Sequence, residues 1–355
     1  MNLKIKCLRE KLKLSDIQGM IVSNPVNIKY LTNIEAEGIL LITRKENIYI
    51  TDGRYIESVN SILTINDEVI VYNIKDVSKY DCENFFMFCE NIGFEENHIT
   101  YSKYKEYIHK YKINNFTETD GIIESQRAIK DEEEISILKQ SCKILDDCFS
   151  YLLKYIKKGM NEKEIANEIE KYFKSKGAEG VSFDSIIASG PNSSMPHAVP
   201  TDRQISSGDT ILIDMGCKYK GYCSDMSRTI FVDYVPEEIK PIYDIVLKNQ
   251  EQILKEIKDG ANARILTMMV EGDFKINGYT FVHSLGHGVG LEIHEDPRIG
   301  NKDYLLKENM TITNEPGIYI PGKFGVRIED TVLVTKSGCI KLTNSEKNYT
   351  IIKTN

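Results

Sequence analysis

His283-Ser284-Leu285-Gly286-His287-Gly288-Val289-Gly290-Leu291-Glu292-Ile293-His294 holds three of the chain's six histidines and spaces them with glycines. A lone histidine is more often a satisfied core or surface residue than a ligand. Three so close together, separated by residues without a Cβ, point instead to imidazoles gathered where backbone can approach a ligand closely. The glycines do not form G-x-G-x-x-G, and no Walker A sequence occurs. His294-Glu295 is followed by Asp296-Pro297-Arg298, so H-E-x-x-H is not completed either. Dinucleotide or phosphate binding and the zincin arrangement therefore drop out. A fourth histidine, His197, follows Pro196.

Working outward, acids sit beside β-like runs on both sides of this stretch. Asp214 ends Ile211-Leu212-Ile213, and Asp225 follows eleven residues later across a turn containing Gly221. If the flanking segments pair as strands, the two carboxylates converge. Taken alone, Asp214 fits a cap or a surface turn as well as a ligand. Glu315, in Thr313-Asn314-Glu315-Pro316-Gly317, and Glu329, in Val326-Arg327-Ile328-Glu329-Asp330, repeat the pattern. Carboxylates at the ends of apolar strands are costly to bury unless paired, hydrogen-bonded or bound to a cation. Four acids with one imidazole make an oxygen-rich set suited to divalent manganese, cobalt or zinc, and their charge favours two ions over one. Covalent catalysis is the competing chemistry, with Ser194 near His197 and Cys217 and Cys223 near Asp214. No serine lies in G-x-S-x-G and no cysteine has a catalytic context, so structural thiols are the reading.

The chain has 355 residues, 41% hydrophobic and 28% charged, which fits a fully folded protein of two domains. The net charge of -8 comes with no basic stripe or Lys/Arg run among aromatics, so nucleic acid is not an expected partner. No stretch is long and apolar enough to span a membrane. Met1-Asn2-Leu3-Lys4 leads into alternating polar and apolar positions rather than a signal-peptide core. Eight cysteines without C-x-x-C argue against a thiolate zinc site or a disulfide framework. A cytoplasmic protein with reduced thiols is the expectation.

Segments 18–22, 38–43, 47–51 and 69–71 read as strands, punctuated by Asn24-Pro25 and Asp52-Gly53, with helices between them. This places an α/β domain over residues 1–125. Apolar residues at Ile135, Leu138, Cys142, Leu145, Phe149, Leu152 and Ile156 predict a long helix packed on a sheet. Asp131 and Glu134 would form its capping box and Gly159 would end it. Further helices are predicted over 161–176 and 236–258, stopped by Gly177 and Gly260, and strands over 210–215, 229–234, 310–313 and 325–334. Residues 126–355 then form an α+β domain.

In order, Asp214, Asp225, His287, Glu315 and Glu329 resemble the five-ligand signature of the superfamily of methionine aminopeptidase, aminopeptidase P and prolidase, whose catalytic domain is the pita-bread fold. Phe183-Asp184-Ser185-Ile186-Ile187-Ala188-Ser189-Gly190, Pro196-His197-Ala198-Val199-Pro200-Thr201-Asp202-Arg203 and Glu315-Pro316-Gly317-Ile318-Tyr319 extend the likeness to its Xaa-Pro peptidase branch. Asn27-Ile28-Lys29-Tyr30-Leu31-Thr32 and Thr51-Asp52-Gly53-Arg54-Tyr55 resemble the creatinase/prolidase N-terminal domain, so the resemblance spans nearly the whole chain. Methionine aminopeptidases usually lack that domain and rank third.

The resemblance implies two divalent ions, manganese foremost and cobalt or zinc as alternatives. Asp214 would hold one, His287 and Glu315 the other, and Asp225 and Glu329 would bridge both. A hydroxide held between the ions would attack the scissile carbonyl, with Glu315 handling its proton. The resemblance further assigns His197 and His294 to the substrate carbonyl and developing charge. His283 falls at the pocket wall, and Tyr319 and Arg327 either orient substrate or support the residues that line the site. Proline-containing peptides are the implied substrates and a homodimer the implied assembly. Some aminopeptidases P use a tryptophan against the substrate; this chain has none, so another aromatic would substitute. Aminopeptidase P is placed ahead of Xaa-Pro dipeptidase. A creatinase-like hydrolase without metal and a non-enzymatic binding protein both predict eroded ligands, and the ligand set here is whole. A dipeptidase differs from an aminopeptidase in needing a cation for the proline carboxylate at the far end of the cleft.

Overall fold

The apolar runs Ile39-Leu40-Leu41-Ile42 and Ile48-Tyr49-Ile50 become an antiparallel pair, Gly38–Thr43 with Asn47–Thr51, in the computed structural model, which describes residues 2–63 and 68–353. The chain divides into two compact units, Met1–Arg127 and Ala128–Asn355.

In the first unit this pair lies inside a six-stranded sheet. Its order is Val69–Asn73, Asn47–Thr51, Gly38–Thr43, Gly19–Val22, Asn91–Phe94 and Asn115–Glu118. Only the two pairings made by Gly38–Thr43 are antiparallel; the other three are parallel. Asn24-Pro25, expected to mark a turn, starts the helix Pro25–Thr32: the Asn24 side chain accepts from the Val26 N–H, and the proline sits where no N–H is needed. The alternation after Met1 forms no strand. It belongs to the helix Leu3–Leu14, because the buried residues are Ile5, Leu8 and Leu12, spaced by three and four, with Asn2 as N-cap.

In the second unit the predicted capping box is present, and a second accompanies it. Asp131 and Glu134 open the helix Glu132–Tyr155, and Asn161 and Glu164 open Glu162–Ser175. This helix pair shares a core with the strands Ile186–Ser189, Thr210–Met215 and Met226–Val232, through residues such as Leu145, Phe149, Ile169, Ile213 and Ile230. The strands belong to a four-stranded sheet completed by Thr350–Ile352. A second helix pair, Lys240–Glu256 and Ala263–Ile276, shares another core with Thr311–Asn314, Phe324–Arg327 and Asp330–Val334, through Val246, Val270, Phe274, Ile312, Val326 and Val332. Here a five-stranded antiparallel sheet runs Glu295–Ile299, Gly286–Gly288, Thr311–Asn314, Asp330–Val334 and Cys339–Lys341. No helix among the described residues is long and apolar enough to cross a membrane.

Several boundaries differ from expectation, among them the strand expected over 229–234, which runs Met226–Val232. The first long helix stops at Tyr155, and Gly159 serves the following turn with φ +87°. The helix expected from 236 begins at Lys240, where Pro241 lies in the first turn and lacks no intrahelical bond. The run 325–334 is two strands. Phe324–Arg327 pairs with Gly317–Ile320 as a separate hairpin, Asp330–Val334 joins the five-stranded sheet, and Ile328-Glu329 forms the break between them.

The sheet itself requires Gly286 and Gly288, and Gly286 also lines the cavity. A Cβ on Gly286 would overlap the Thr313 carbonyl oxygen, and one on Gly288 the Asp296 carbonyl oxygen. Backbone cannot withdraw as a flexible side chain does. Gly286→Ala is therefore expected to destabilise this unit by about 3 kcal/mol. Calorimetry should read this as a fall in Tm of roughly 6–12 °C; a variant that melts with the wild type overturns the assignment.

Candidate metal centre

Asp214 and Asp225 are brought together by an antiparallel ladder. Thr210–Met215 pairs with Met226–Val232 so that Asp214 faces Ser227, and Asp225 immediately precedes the second strand. The intervening hairpin turns through Lys220 and Gly221, both with positive φ, a backbone state that glycine adopts at no steric cost. His287 lies in Gly286–Gly288, Glu315 directly follows Thr311–Asn314, and Glu329 occupies the break before Asp330–Val334. All five line one cavity of about 450 Å³, with His197, His283, His294 and Arg327.

Within it, one ligand atom from each of Asp225, His287 and Glu329 lies within 4.8 Å of the others. His287 Nε2 is 3.5 Å from Asp225 Oδ2 and 3.5 Å from Glu315 Oε1. Its Nδ1 is 3.2 Å from the Gly288 carbonyl oxygen. A carbonyl only accepts, so Nδ1 carries the proton and Nε2 presents a lone pair to two carboxylates. Asp214 Oδ1, Asp225 Oδ1 and Glu329 Oε1 are buried with no hydrogen-bond partner. Acceptor set against acceptor is unfavourable unless a cation or a proton lies between.

The protonation equilibria carry the same message. Burial raises the Asp225 and Glu329 carboxyls well above the usual carboxylate range, and the neighbouring acids raise them further. Burial pushes Glu315 up to about 8. Burial also lowers His287 to about 4, which keeps the imidazole neutral and able to ligate. Without an added positive charge these acids hold their protons; with one they ionise and bind it. The buried Asp, His and Glu cluster thus fits a metal.

Ser227 and Thr313, which no motif singled out, hold the cluster from behind. Ser227 Oγ donates to Glu329 Oε2 at 2.7 Å and accepts from Arg327 Nε at 2.8 Å. Thr313 Oγ1 accepts from the His287 N–H and donates to Glu315 Oε1. The available signal was strand periodicity: Ser227 is two residues past Asp225, and Thr313 two before Glu315. Arg327 also donates to Asp214 Oδ2 at 2.6 Å, to the Tyr319 hydroxyl at 2.7 Å and to the Pro196 carbonyl at 3.1 Å. Four of its five N–H groups are thereby committed to the protein. Tyr319 is not among the cavity-lining residues; its hydroxyl lies between Arg327 and His283 Nε2. Of the two roles expected for these residues, orienting substrate or supporting the groups that line the site, the contacts seen here are supporting ones, from Arg327 to Asp214 and from Tyr319 to His283. Burial lowers His294, whose ring meets His287 edge-on at 4.3 Å between centroids.

Residues 136–336 match Metallopeptidase family M24, and residues 4–129 match the Creatinase/Prolidase N-terminal domain. A Xaa-Pro dipeptidase of Pyrococcus horikoshii is 37% identical over 98% of each chain. Among solved structures, a Xaa-Pro dipeptidase from Bacillus anthracis superposes with a TM-score of 0.93 at 36% identity, covering 98% of this chain and 99% of that one. An X-Pro aminopeptidase from Thermotoga maritima gives 0.88 at 32%, covering 97% and 100%. With both units matched and the acid and histidine cluster in place, this chain belongs to metallopeptidase family M24, a creatinase/prolidase-type α/β domain followed by a pita-bread catalytic domain.

Proposed function

We propose that the chain is a Xaa-Pro dipeptidase, hydrolysing the bond between an N-terminal residue and a C-terminal proline. The observation that carries the dipeptidase reading over the aminopeptidase one is Arg298. It lines the cavity, is exposed, and lies close enough to His287 and His294 to depress both. A guanidinium there is a partner for the free carboxylate of a terminal proline, which a longer peptide lacks at that position. The Xaa-Pro dipeptidase names of the Pyrococcus and Bacillus relatives support the same choice, which reverses the order read from the motifs. The Thermotoga relative keeps aminopeptidase P as the second reading.

Asp214, Asp225, His287, Glu315 and Glu329 would hold two divalent ions, with manganese the first choice for an oxygen-rich set. Bound there, the ions supply Lewis acidity and a water activated at neutral pH. The protein's own groups do the rest. Glu315, which lines the cavity and accepts from Thr313 Oγ1, is placed to take and pass on a proton. His197 and His294, exposed on the cavity, can donate to the scissile carbonyl as charge develops. An imide-type Xaa-Pro nitrogen offers no N–H, so shape must recognise the ring; Phe183, Val199 and Ile293 provide apolar wall.

The test is metal-loaded protein assayed in parallel on Xaa-Pro, Xaa-Pro-Yaa and Met-Ala peptides. Cleavage of Xaa-Pro above the tripeptide is expected, and cleavage of Met-Ala alone sinks the proline reading. Arg298→Met should raise KM for the dipeptide by about thirtyfold, a loss of about 2 kcal/mol for one charge-assisted contact, and leave the tripeptide nearly unchanged. Equal effects on both substrates would return the assignment to aminopeptidase P.

A further inference from the structure

Glu162 is fully buried, yet none of the hydrogen bonds it accepts comes from a cation. It is the first residue of the helix Glu162–Ser175, where a carboxylate is ordinarily a solvated partner of the helix dipole. Here its two oxygens are divided between two pieces of chain. Oε1 accepts from the Ser189 N–H at 2.6 Å and the Ser189 hydroxyl at 2.7 Å. Oε2 accepts from the Thr201 N–H at 2.8 Å and the Thr201 hydroxyl at 2.7 Å. The Asn192 amide, 3.1 Å from each oxygen, closes the set.

Ser189 and Thr201 are the two feet of a loop. Between them the chain leaves the strand Ile186–Ser189 and carries Pro196, His197, Ala198 and Val199 to the cavity wall, with His197 and Val199 exposed there. A loop of this length ordinarily has many conformations, and fixing its feet with charge-assisted bonds removes much of that freedom. Its apex is held separately, by Arg327 through the Pro196 carbonyl. We infer that Glu162 is a positioning residue for substrate binding, setting the spacing of the loop's feet so that His197 and Val199 face the bound peptide. Glu162 does not line the cavity, and the hydrogen bonds it accepts come from Ser189, Asn192 and Thr201 rather than from the metal-cluster acids.

Glu162→Gln keeps the shape but turns one oxygen into a donor facing donors, releasing one foot. For this variant, KM for the Xaa-Pro dipeptide is expected to rise at least tenfold, kcat to fall as well because His197 donates to the scissile carbonyl, and metal content to stay unchanged. In a His197→Ala, Val199→Ala background the same change should add less than twofold, because the clamp acts through those two residues of the loop. Unchanged KM, or a full additional effect in that background, overturns the inference. Should Glu162→Gln not fold, Thr201→Val removes one hydroxyl from one foot and should raise KM about threefold; wild-type KM there counts against it equally. The kinetic arm rests on the dipeptidase reading. If the wild type cleaves no Xaa-Pro peptide, that reading fails on its own. Hydrogen exchange then decides the clamp: faster exchange of amides 190–201 in the variant upholds it, and unchanged exchange overturns it.

Discussion

Asp225→Asn is expected to lower kcat/KM by at least about a thousandfold, roughly 4 kcal/mol of barrier, while the protein stays folded. Asp225 has one oxygen buried without a partner and the other 3.5 Å from His287 Nε2, and the proposed role would have this carboxylate serve both cations. An amide offers one acceptor and turns two N–H donors on that space, so bound metal, measured by mass spectrometry, should fall by at least one equivalent. The fold survives because the residue's backbone is anchored independently: its carbonyl accepts from Thr331 Oγ1 at 2.7 Å. Neutralising one member of an acid cluster also relieves repulsion, so the metal-free variant should be at least as stable at pH 8 as the metal-free wild type. Full activity with unchanged metal content would refute the ligand assignment.

Much of this architecture was legible because local signals agreed with the tertiary demand. The strands 38–43 and 47–51 and both capping boxes are places where propensity, turn chemistry and burial coincide. What stayed hidden lies where tertiary structure overrode them. Ile328 is β-branched, apolar and fully buried, so nothing local marks it as a break between strands; the chain leaves one sheet for another there and sets Glu329 at the change. The glycines around His287 were attributed to ligand approach, and the separate demand that strand packing makes on Gly286 and Gly288 had no local signal. Arg327 illustrates the same limit from the other side. Its neighbourhood was readable from the motif, but whether a guanidinium faces substrate or braces Asp214 and Ser227 depends on residues distant in sequence. Arg298 went unassigned because one exposed arginine has no pattern until the cavity is formed.

Removal of metal should make stability fall as pH rises from about 6.5 to 8, while the metal-loaded protein stays level or gains. Glu315 is raised to about 8 in the folded protein, and Asp225 and Glu329 are also raised, against unfolded values near 4. Between those limits the folded state binds more protons than the unfolded one, so stability declines with pH. The buried histidines act in the opposite sense. His283 and His287 are lowered to about 4 from an ordinary value near 6.5, so between those values the unfolded state binds more protons and stability climbs with pH. The two trends offset below about pH 6.5; above it only the acids remain. Glu315 alone, over that interval of roughly 1.5 units, amounts to about 2 kcal/mol. Bound cations replace those protons and compete better as pH rises, so the gap between loaded and chelated protein should widen by several degrees of Tm across the window. Parallel pH profiles for the two forms would mean that these carboxyls are not what the metal binds.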